Sequence, residues 1–340
     1  MSEPQAPVRI GLLGAGRIGR LHAELLSGRI AGATLAAVCD ADPETAAEVA
    51  TRLRVPAVGS AGELFELPEV DALAICTSTD THAEAIVAAA RTGKAIFCEK
   101  PVALDLEEVD RALAAIDESG VFFQVGFNRR FDPAHASVRE AVSSGTLGDV
   151  HLVRISSRDP APPPLAYSRA SGGLFLDMTI HDFDMARFVT GSEVIEVYAR
   201  GAVRITPELV ELGDVDTAVV TLVHENGALT VIDNSRRAAY GFDQRVEAFG
   251  SRGVAASENP VAHTGVVRTA DGTRAAALPY FFVERYLPSY AAQWTAFASA
   301  VRSGGTSPVT GADGRAPLAI GLAAGRSVRE QRPVRVEEVA

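Results

Sequence analysis

The chain is short of several things, and each shortage excludes something. Its 340 residues hold three cysteines, too few for a disulfide-built scaffold. Cys39, Cys76 and Cys98 each close an apolar, strand-like run and form no C-x-x-C pair, so they read as small buried hydrophobes. Positive charge is scarce: 32 Lys and Arg stand against 43 Asp and Glu, a formal net charge of −11. A nucleic-acid partner is therefore not expected, because a phosphate backbone is bound through positive charge. No run approaches the ~20 consecutive apolar residues that a membrane span needs. The opening Met-Ser-Glu-Pro-Gln-Ala-Pro lacks the basic start and apolar core of a signal peptide. Repeats, low-complexity tracts and coiled-coil heptads are missing too. The expectation is a cytoplasmic protein in a reducing compartment, with no membrane contact.

What is present is ordinary globular material, 47% hydrophobic and 22% charged. A single core rarely grows past ~250–300 residues, so two domains are expected, at 1–126 and 127–340. In the first, short runs apolar on both faces (8–13, 35–39, 72–76, 95–98, 121–125) alternate with helical spacing at 18–26, 43–53, 81–92 and 106–118. That rhythm predicts a doubly wound parallel sheet of the Rossmann type. Asp42 before Pro43 predicts a helix start, with the carboxylate as N-cap and Pro in the first turn. After Gly126 the style changes. A helix over 133–143 precedes runs that alternate apolar and polar residues, at 150–156, 194–203, 217–224, 228–235 and 245–249. One wet face is implied, hence an α+β domain on a mainly antiparallel open sheet. Glu225-Asn226-Gly227 marks a hairpin, 158–164 is too Pro-rich for regular structure, and 287–301 and 316–329 close the chain as helices.

Gly14-Ala15-Gly16-Arg17-Ile18-Gly19 follows the first strand and opens a helix. The glycines serve a tight turn, close approach of a pyrophosphate, and close helix–strand packing. The backbone of Arg17 and Ile18 then lies at the positive end of that helix. Asp40 ends the second strand about 20 residues beyond, where a ribose-binding acid belongs. Its carboxylate repels a 2′-phosphate, and Ala41 and Asp42 supply no cation, so NAD is expected over NADP.

Ser171-Gly172-Gly173-Leu174-Phe175-Leu176-Asp177-Met178-Thr179-Ile180-His181-Asp182-Phe183-Asp184 reads as a helix from Leu174 on, with paired glycines allowing a tight start. Positions i, i+4 and i+7 share a face, which would place Asp177, His181 and Asp184 in a row. A carboxylate one turn from an imidazole suits a proton-accepting His. A solvated polar stripe fits the same spacing, and so does a pair of metal ligands, although no third ligand has a recognisable spacing. Glu99-Lys100-Pro101 closes the fifth strand at the ligand-binding edge of the expected sheet.

With these motifs, and with Thr77-Ser78-Thr-Asp-Thr-His82, Gln124-Val-Gly-Phe-Asn-Arg129-Arg-Phe-Asp132 and Gly172-Gly173, the chain resembles the Gfo/Idh/MocA family of sugar and polyol oxidoreductases over nearly its whole length. Within the family it is similar to inositol 2-dehydrogenases. The resemblance implies Lys100, Asp177 and His181 as the catalytic group, and no metal. It implies Thr77, Ser78, His82 and Glu99 beside the nicotinamide ribose or diphosphate, and Arg129 near nicotinamide or substrate. Asp159 would meet the polyol, and Tyr240 would form pocket wall or simply pack beside a strand turn. His22, His135, His224 and His263 show no partner pattern and read as surface or satisfied core residues.

The expected chemistry is oxidation of myo-inositol to its 2-keto form in polyol catabolism. His181 would be the base, Lys100 would steady the reacting oxygen, and Asp177 would bind a neighbouring hydroxyl. Asp159, Asp177 and Asp184 would suit a neutral, hydroxyl-rich ligand. A scyllo-inositol or glucose-like substrate is the alternative; a non-enzymatic NAD-binding regulator would show a broken catalytic set. The resemblance also implies a homo-oligomer, dimer or tetramer, formed through the second domain's sheet.

Overall fold

The computed structural model describes residues 6–340; the first five, on which most of the signal-peptide reading falls, lie outside the described residues. Six strands form the first sheet: β1 Val8–Leu13, β2 Ala33–Cys39, β3 Ala57–Val58, β4 Ala72–Ile75, β5 Ala95–Cys98 and β6 Phe123–Val125. All pairs are parallel, in the order β3-β2-β1-β4-β5-β6. The order reverses beside β1, and ligands of open α/β sheets bind outside the strand ends at such a reversal. Helices Arg17–Leu26, Pro43–Leu53, His82–Ala90 and Leu106–Ser119 alternate with the strands as the periodicity predicts. Asp42 caps its helix through the Glu44 N–H at 3.1 Å, with Pro43 in the first turn. Two further elements appear, the two-residue β3 and the short helix Ala61–Glu66, which Ser60 caps through the Glu63 N–H at 3.2 Å.

The second sheet holds β7 Val150–Arg158, β8 Val194–Ala202, β9 Thr217–His224, β10 Leu229–Ser235, β11 Asp243–Gly250 and β12 Gly253–Ser257. A separate hairpin, β13 Val266–Thr269 with β14 Gly272–Ala275, follows, and β15 Val334–Arg335 completes the main sheet at its far edge. The order is β12-β11-β7-β10-β9-β8-β15, antiparallel throughout except for the parallel pair β7 and β10. One face is buried, as the alternation predicts: Ala218, Val220 and Leu222 point inward while Val219 between them is exposed. That inner face meets Phe175, Met178, Phe183, Met185 and Val189 in one apolar core. The expected hairpin is present, with the Gly227 N–H donating to the His224 carbonyl at 2.9 Å.

The division of the chain differs from the single boundary expected after residue 126. One unit runs to Asn128 and takes in Tyr290–Leu318; the other is Arg129–Ser289 with Ala319–Ala340. Aromatic packing explains the return. Trp294 and Phe297, from helix Phe282–Ser303, lie 4.5 Å from Phe97 and 5.4 Å from Phe122, ring centroid to centroid, inside the first unit. The Pro-rich stretch behaves as expected only in part: Arg158 ends β7, and a short helix, Leu165–Ala170, follows the prolines. No helix among the described residues is long and apolar enough to cross a membrane.

Candidate active site

The first unit supplies a cofactor cradle. Gly14 has φ +94°, and a Cβ there would lie 2.6 Å from the Cys76 backbone. A Cβ on Gly19 would overlap the Gly14 carbonyl oxygen, so helix and strand meet at van der Waals limit. At Gly16 a Cβ would meet nothing, which leaves the start of helix Arg17–Leu26 open, and no side chain caps it. Open N–H groups at a helix start suit a pyrophosphate. Asp40 is aimed by the same turn: its Oδ2 accepts from the Ala15 N–H at 2.6 Å and its Oδ1 from the Asp42 N–H at 2.9 Å.

Glu99 and Lys100 leave the end of β5 with a cis Lys100–Pro101 bond. The Glu99 carboxylate turns inward. Its Oε2 accepts from the Lys100 N–H at 3.2 Å and its Oε1 lies 2.8 Å from His22 Nε2. Trp294 Nε1–H donates to His22 Nδ1 at 2.9 Å, so the neutral ring carries its proton on Nε2 and donates to Glu99. His22, fully buried, is thus a satisfied core residue that braces the turn carrying Lys100. His82 is held by two backbone carbonyls. It is buried, with Nδ1 2.8 Å from the Pro101 carbonyl and Nε2 3.1 Å from that of Thr77. Burial pushes its imidazole below the ordinary value, and it ties the Thr77 loop to the Pro101 turn. Thr77 accepts from the Thr81 hydroxyl at 2.7 Å, and Ser78 precedes the 3-10 turn Thr79–Thr81.

The second unit holds the acid and imidazole groups. Gly172 and Gly173 have φ +80° and +79°, and a Cβ on Gly173 would lie 2.7 Å from Asp214 Oδ1, whose carboxylate accepts from the Leu174 N–H at 3.0 Å. The tight start is therefore real, but the single helix is not. Helix Gly173–Asp177 stops, and Ile180–Thr190 begins a new one. Thr179 breaks the run: its hydroxyl donates to Asn234 Oδ1 at 2.7 Å and turns toward the Leu174 carbonyl at 3.3 Å. The His181 N–H consequently points to the Met178 carbonyl at 3.3 Å, and Asp177, His181 and Asp184 do not form one helical row.

Asp184 is buried and takes a two-pronged grip from Arg130, with Nη2 to Oδ1 at 2.6 Å and Nε to Oδ2 at 2.9 Å. Arg129 is paired in a similar way. Its Nη1 donates to Asp182 Oδ1 at 2.6 Å, Asn234 Nδ2 donates to Asp182 Oδ2 at 2.8 Å, and the guanidinium lies over the Tyr286 ring. Adjacent arginines thus clamp alternate acids of helix Ile180–Thr190. Tyr240 donates to Asp243 Oδ2 at 2.7 Å and accepts from Arg158 Nη1 at 2.8 Å, so its hydroxyl is engaged beside the strand ends. His135 and His224 are buried and hydrogen-bonded, to Ser257 Oγ and Thr230 Oγ1, each at 2.8 Å. Among the described residues no cluster of three His, Cys, Asp or Glu side chains is arranged to hold a metal.

Asp177 and Asp159 come together, joined by a residue the sequence reading missed. Arg236 Nη2 donates to Asp177 Oδ2 at 2.8 Å and Nη1 to Asp159 Oδ2 at 3.1 Å, while the Tyr167 hydroxyl donates to Asp177 Oδ1 at 2.9 Å. Burial pushes the Asp159 carboxyl above its ordinary value; Arg236 pulls it back and Asp177 adds to the rise. The available signal was the parallel pairing of β7 and β10, which no local pattern reports.

Residues 8–127 match an oxidoreductase family with an NAD-binding Rossmann fold, and residues 135–256 match the GFO/IDH/MocA C-terminal domain. The chain belongs to the Gfo/Idh/MocA oxidoreductase family. Within that family, the myo-inositol 2-dehydrogenase of Thermotoga maritima is 49% identical over 333 residues, 98% of this chain and 99% of that one. The inositol 2-dehydrogenase of Rhizobium meliloti is 46% identical over 329 residues, covering 97% and 99%. A scyllo-inositol dehydrogenase of Lactobacillus casei, solved with bound NAD(H) and scyllo-inositol, matches with TM-score 0.90 at 28% identity, covering 97% and 99%. Gly14, Gly16, Gly19 and Asp40 fit the NAD that this Gfo/Idh/MocA fold carries.

Proposed function

We propose that the chain is an NAD-dependent inositol 2-dehydrogenase, converting myo-inositol to 2-keto-myo-inositol. The observation that carries the reading is the near full-length match to inositol 2-dehydrogenases at 46–49% identity. The partly buried Asp159–Arg236–Asp177 group agrees with it chemically, because carboxylates accept hydrogen bonds from neighbouring hydroxyls of a neutral polyol.

In this reading the Gly14–Gly19 turn and the helix start behind it hold the diphosphate, Asp40 accepts from the adenosine hydroxyls, and Thr77 and Ser78 edge the same site. NAD, when bound, accepts the hydride at nicotinamide C4. His181 takes the proton of the reacting hydroxyl, and Lys100 steadies the negative charge that develops on its oxygen. Asp177 orients an adjacent hydroxyl. Glu99, braced by His22 and Trp294, fixes the backbone from which Lys100 projects.

Initial rates of NADH formation with myo-inositol, scyllo-inositol and glucose, using NAD and NADP in parallel, test the proposal. Myo-inositol with NAD is expected to be fastest. NADP is expected to be about 100-fold poorer, from the repulsion between Asp40 and a 2′-phosphate. Absence of NADH with every polyol would refute the enzyme reading, and a scyllo-inositol optimum would move the assignment to the substrate named for the Lactobacillus casei protein.

Self-association belongs to the same reading. Tyr198, Val219, Phe249 and Val254 are exposed large hydrophobics on strands of the second sheet, and a face of this kind is covered by a second copy. Light scattering should give the mass of a dimer or tetramer; a monomer at micromolar concentration would count against it. A reducing cytoplasm fits the three buried cysteines, none of which forms a disulfide.

A further inference from the structure

Arg236 belongs to none of the motifs that mark the site, yet it touches two of its acids. The cause is topological. β7 and β10 are the parallel pair of the second sheet, with Arg158 opposite Ser235, so Asp159 and Arg236 leave the same strand ends side by side. The backbone holds them there: the Asp159 N–H donates to the Ser235 carbonyl at 2.9 Å, the Ala238 N–H to the Asp159 carbonyl at 2.7 Å, and the Arg236 N–H to the Asp216 carbonyl at 2.9 Å. The Arg236 side chain is 7% exposed, against 22% for Asp159 and 12% for Asp177. A planar guanidinium presents two Nη groups in a fixed fork, which a lysine ammonium does not.

We propose that Arg236 is a positioning residue that holds Asp159 and Asp177 as a paired acceptor for two neighbouring hydroxyls of the substrate. The inference rests on the polyol dehydrogenase reading and adds the element that sets the spacing of its acids. Each carboxylate gives one oxygen to Arg236, and Asp177 gives its other to Tyr167. Neither acid is then free to rotate toward solvent. The arrangement favours a ligand with adjacent hydroxyls, since two hydroxyl donors meet two carboxylates held at one separation. Without the guanidinium, two partly buried carboxylates would lose the cation that joins them.

Steady-state kinetics with myo-inositol, together with NAD affinity by fluorescence titration, test this in Arg236→Met, Arg236→Lys and Arg236→Met/Asp159→Asn. Losing charged hydrogen bonds from Arg236 should raise KM for myo-inositol about 10- to 100-fold in Arg236→Met. NAD affinity should stay within about twofold, because none of the cofactor cradle is touched. The double variant, with no like-charge pair left, should recover part of that loss, which a merely structural arginine would not allow. Arg236→Lys keeps the buried charge and serves if the methionine variant does not fold; it should still raise KM for the polyol, because one ammonium does not reproduce the fork. Unchanged KM in the folded single variants, or a double variant as poor as Arg236→Met, overturns the role of Arg236 while leaving the enzyme reading intact. A wild-type protein silent on every polyol overturns both.

Discussion

Replacing His181 with alanine should lower kcat for myo-inositol by about 10²–10⁴-fold while leaving NAD affinity unchanged. Oxidation of a secondary alcohol needs a group that takes the hydroxyl proton as the hydride leaves, and the ordinary pKa of histidine suits that task near neutral pH. His181 sits where helix Gly173–Asp177 gives way to Ile180–Thr190, four residues beyond an acid that Arg236 and Tyr167 fix in place. It is half-buried and belongs to the second unit, whereas the glycine turn and Asp40 belong to the first, so the loss should fall on turnover and not on NAD binding. A ternary-complex rate at high pH should recover part of the activity in the alanine variant, because solvent hydroxide can then take the proton. An alanine variant with near-normal kcat would remove His181 from the mechanism.

Asp182→Ala should destabilise the second unit by about 3–5 kcal/mol, far more than loss of a surface ion pair. Asp182 is 0% exposed and receives Arg129 at 2.6 Å and Asn234 at 2.8 Å. Its removal leaves the buried Arg129 charge without its carboxylate, which is the costly way to break a pair. The Arg9–Asp71 pair offers the contrast, since its side chains are 42% and 39% exposed and exposed pairs contribute about 0–1 kcal/mol. Urea midpoints for Asp182→Ala and Asp71→Ala, read against wild type, check the ordering. Equal midpoints would show that the Arg129–Asp182 pair does not hold helix Ile180–Thr190 to the sheet.

The parts of the fold visible in the sequence are those fixed by neighbours along the chain. The βα rhythm to residue 125, the Asp42-Pro43 helix start and the glycine turn at 14–19 depend on local spacing and backbone geometry, and all three are present. The misreadings share a different cause. The helix expected from Leu174 fails at Thr179, whose hydroxyl is bound by Asn234, a residue 55 positions later. Helical periodicity does not register such a bond. The spacing puts Asp184 in line with Asp177 and His181, and the family resemblance puts Arg129 near nicotinamide or substrate, but neither shows the clamps that join 129–130 to 182–184. Arg236 stayed hidden because its meaning comes from the parallel register of β7 with β10. The return of Tyr290–Leu318 to the first unit is likewise a matter of aromatic packing between distant segments.

Myo-inositol deuterated at C2 tests the central claim most directly, by following the label during turnover with NAD. The account predicts deuterium at nicotinamide C4 of the NADH formed, a slowed hydride-transfer step, and a keto product that has lost the label. Unlabelled NADH, or label retained in the product, would contradict it.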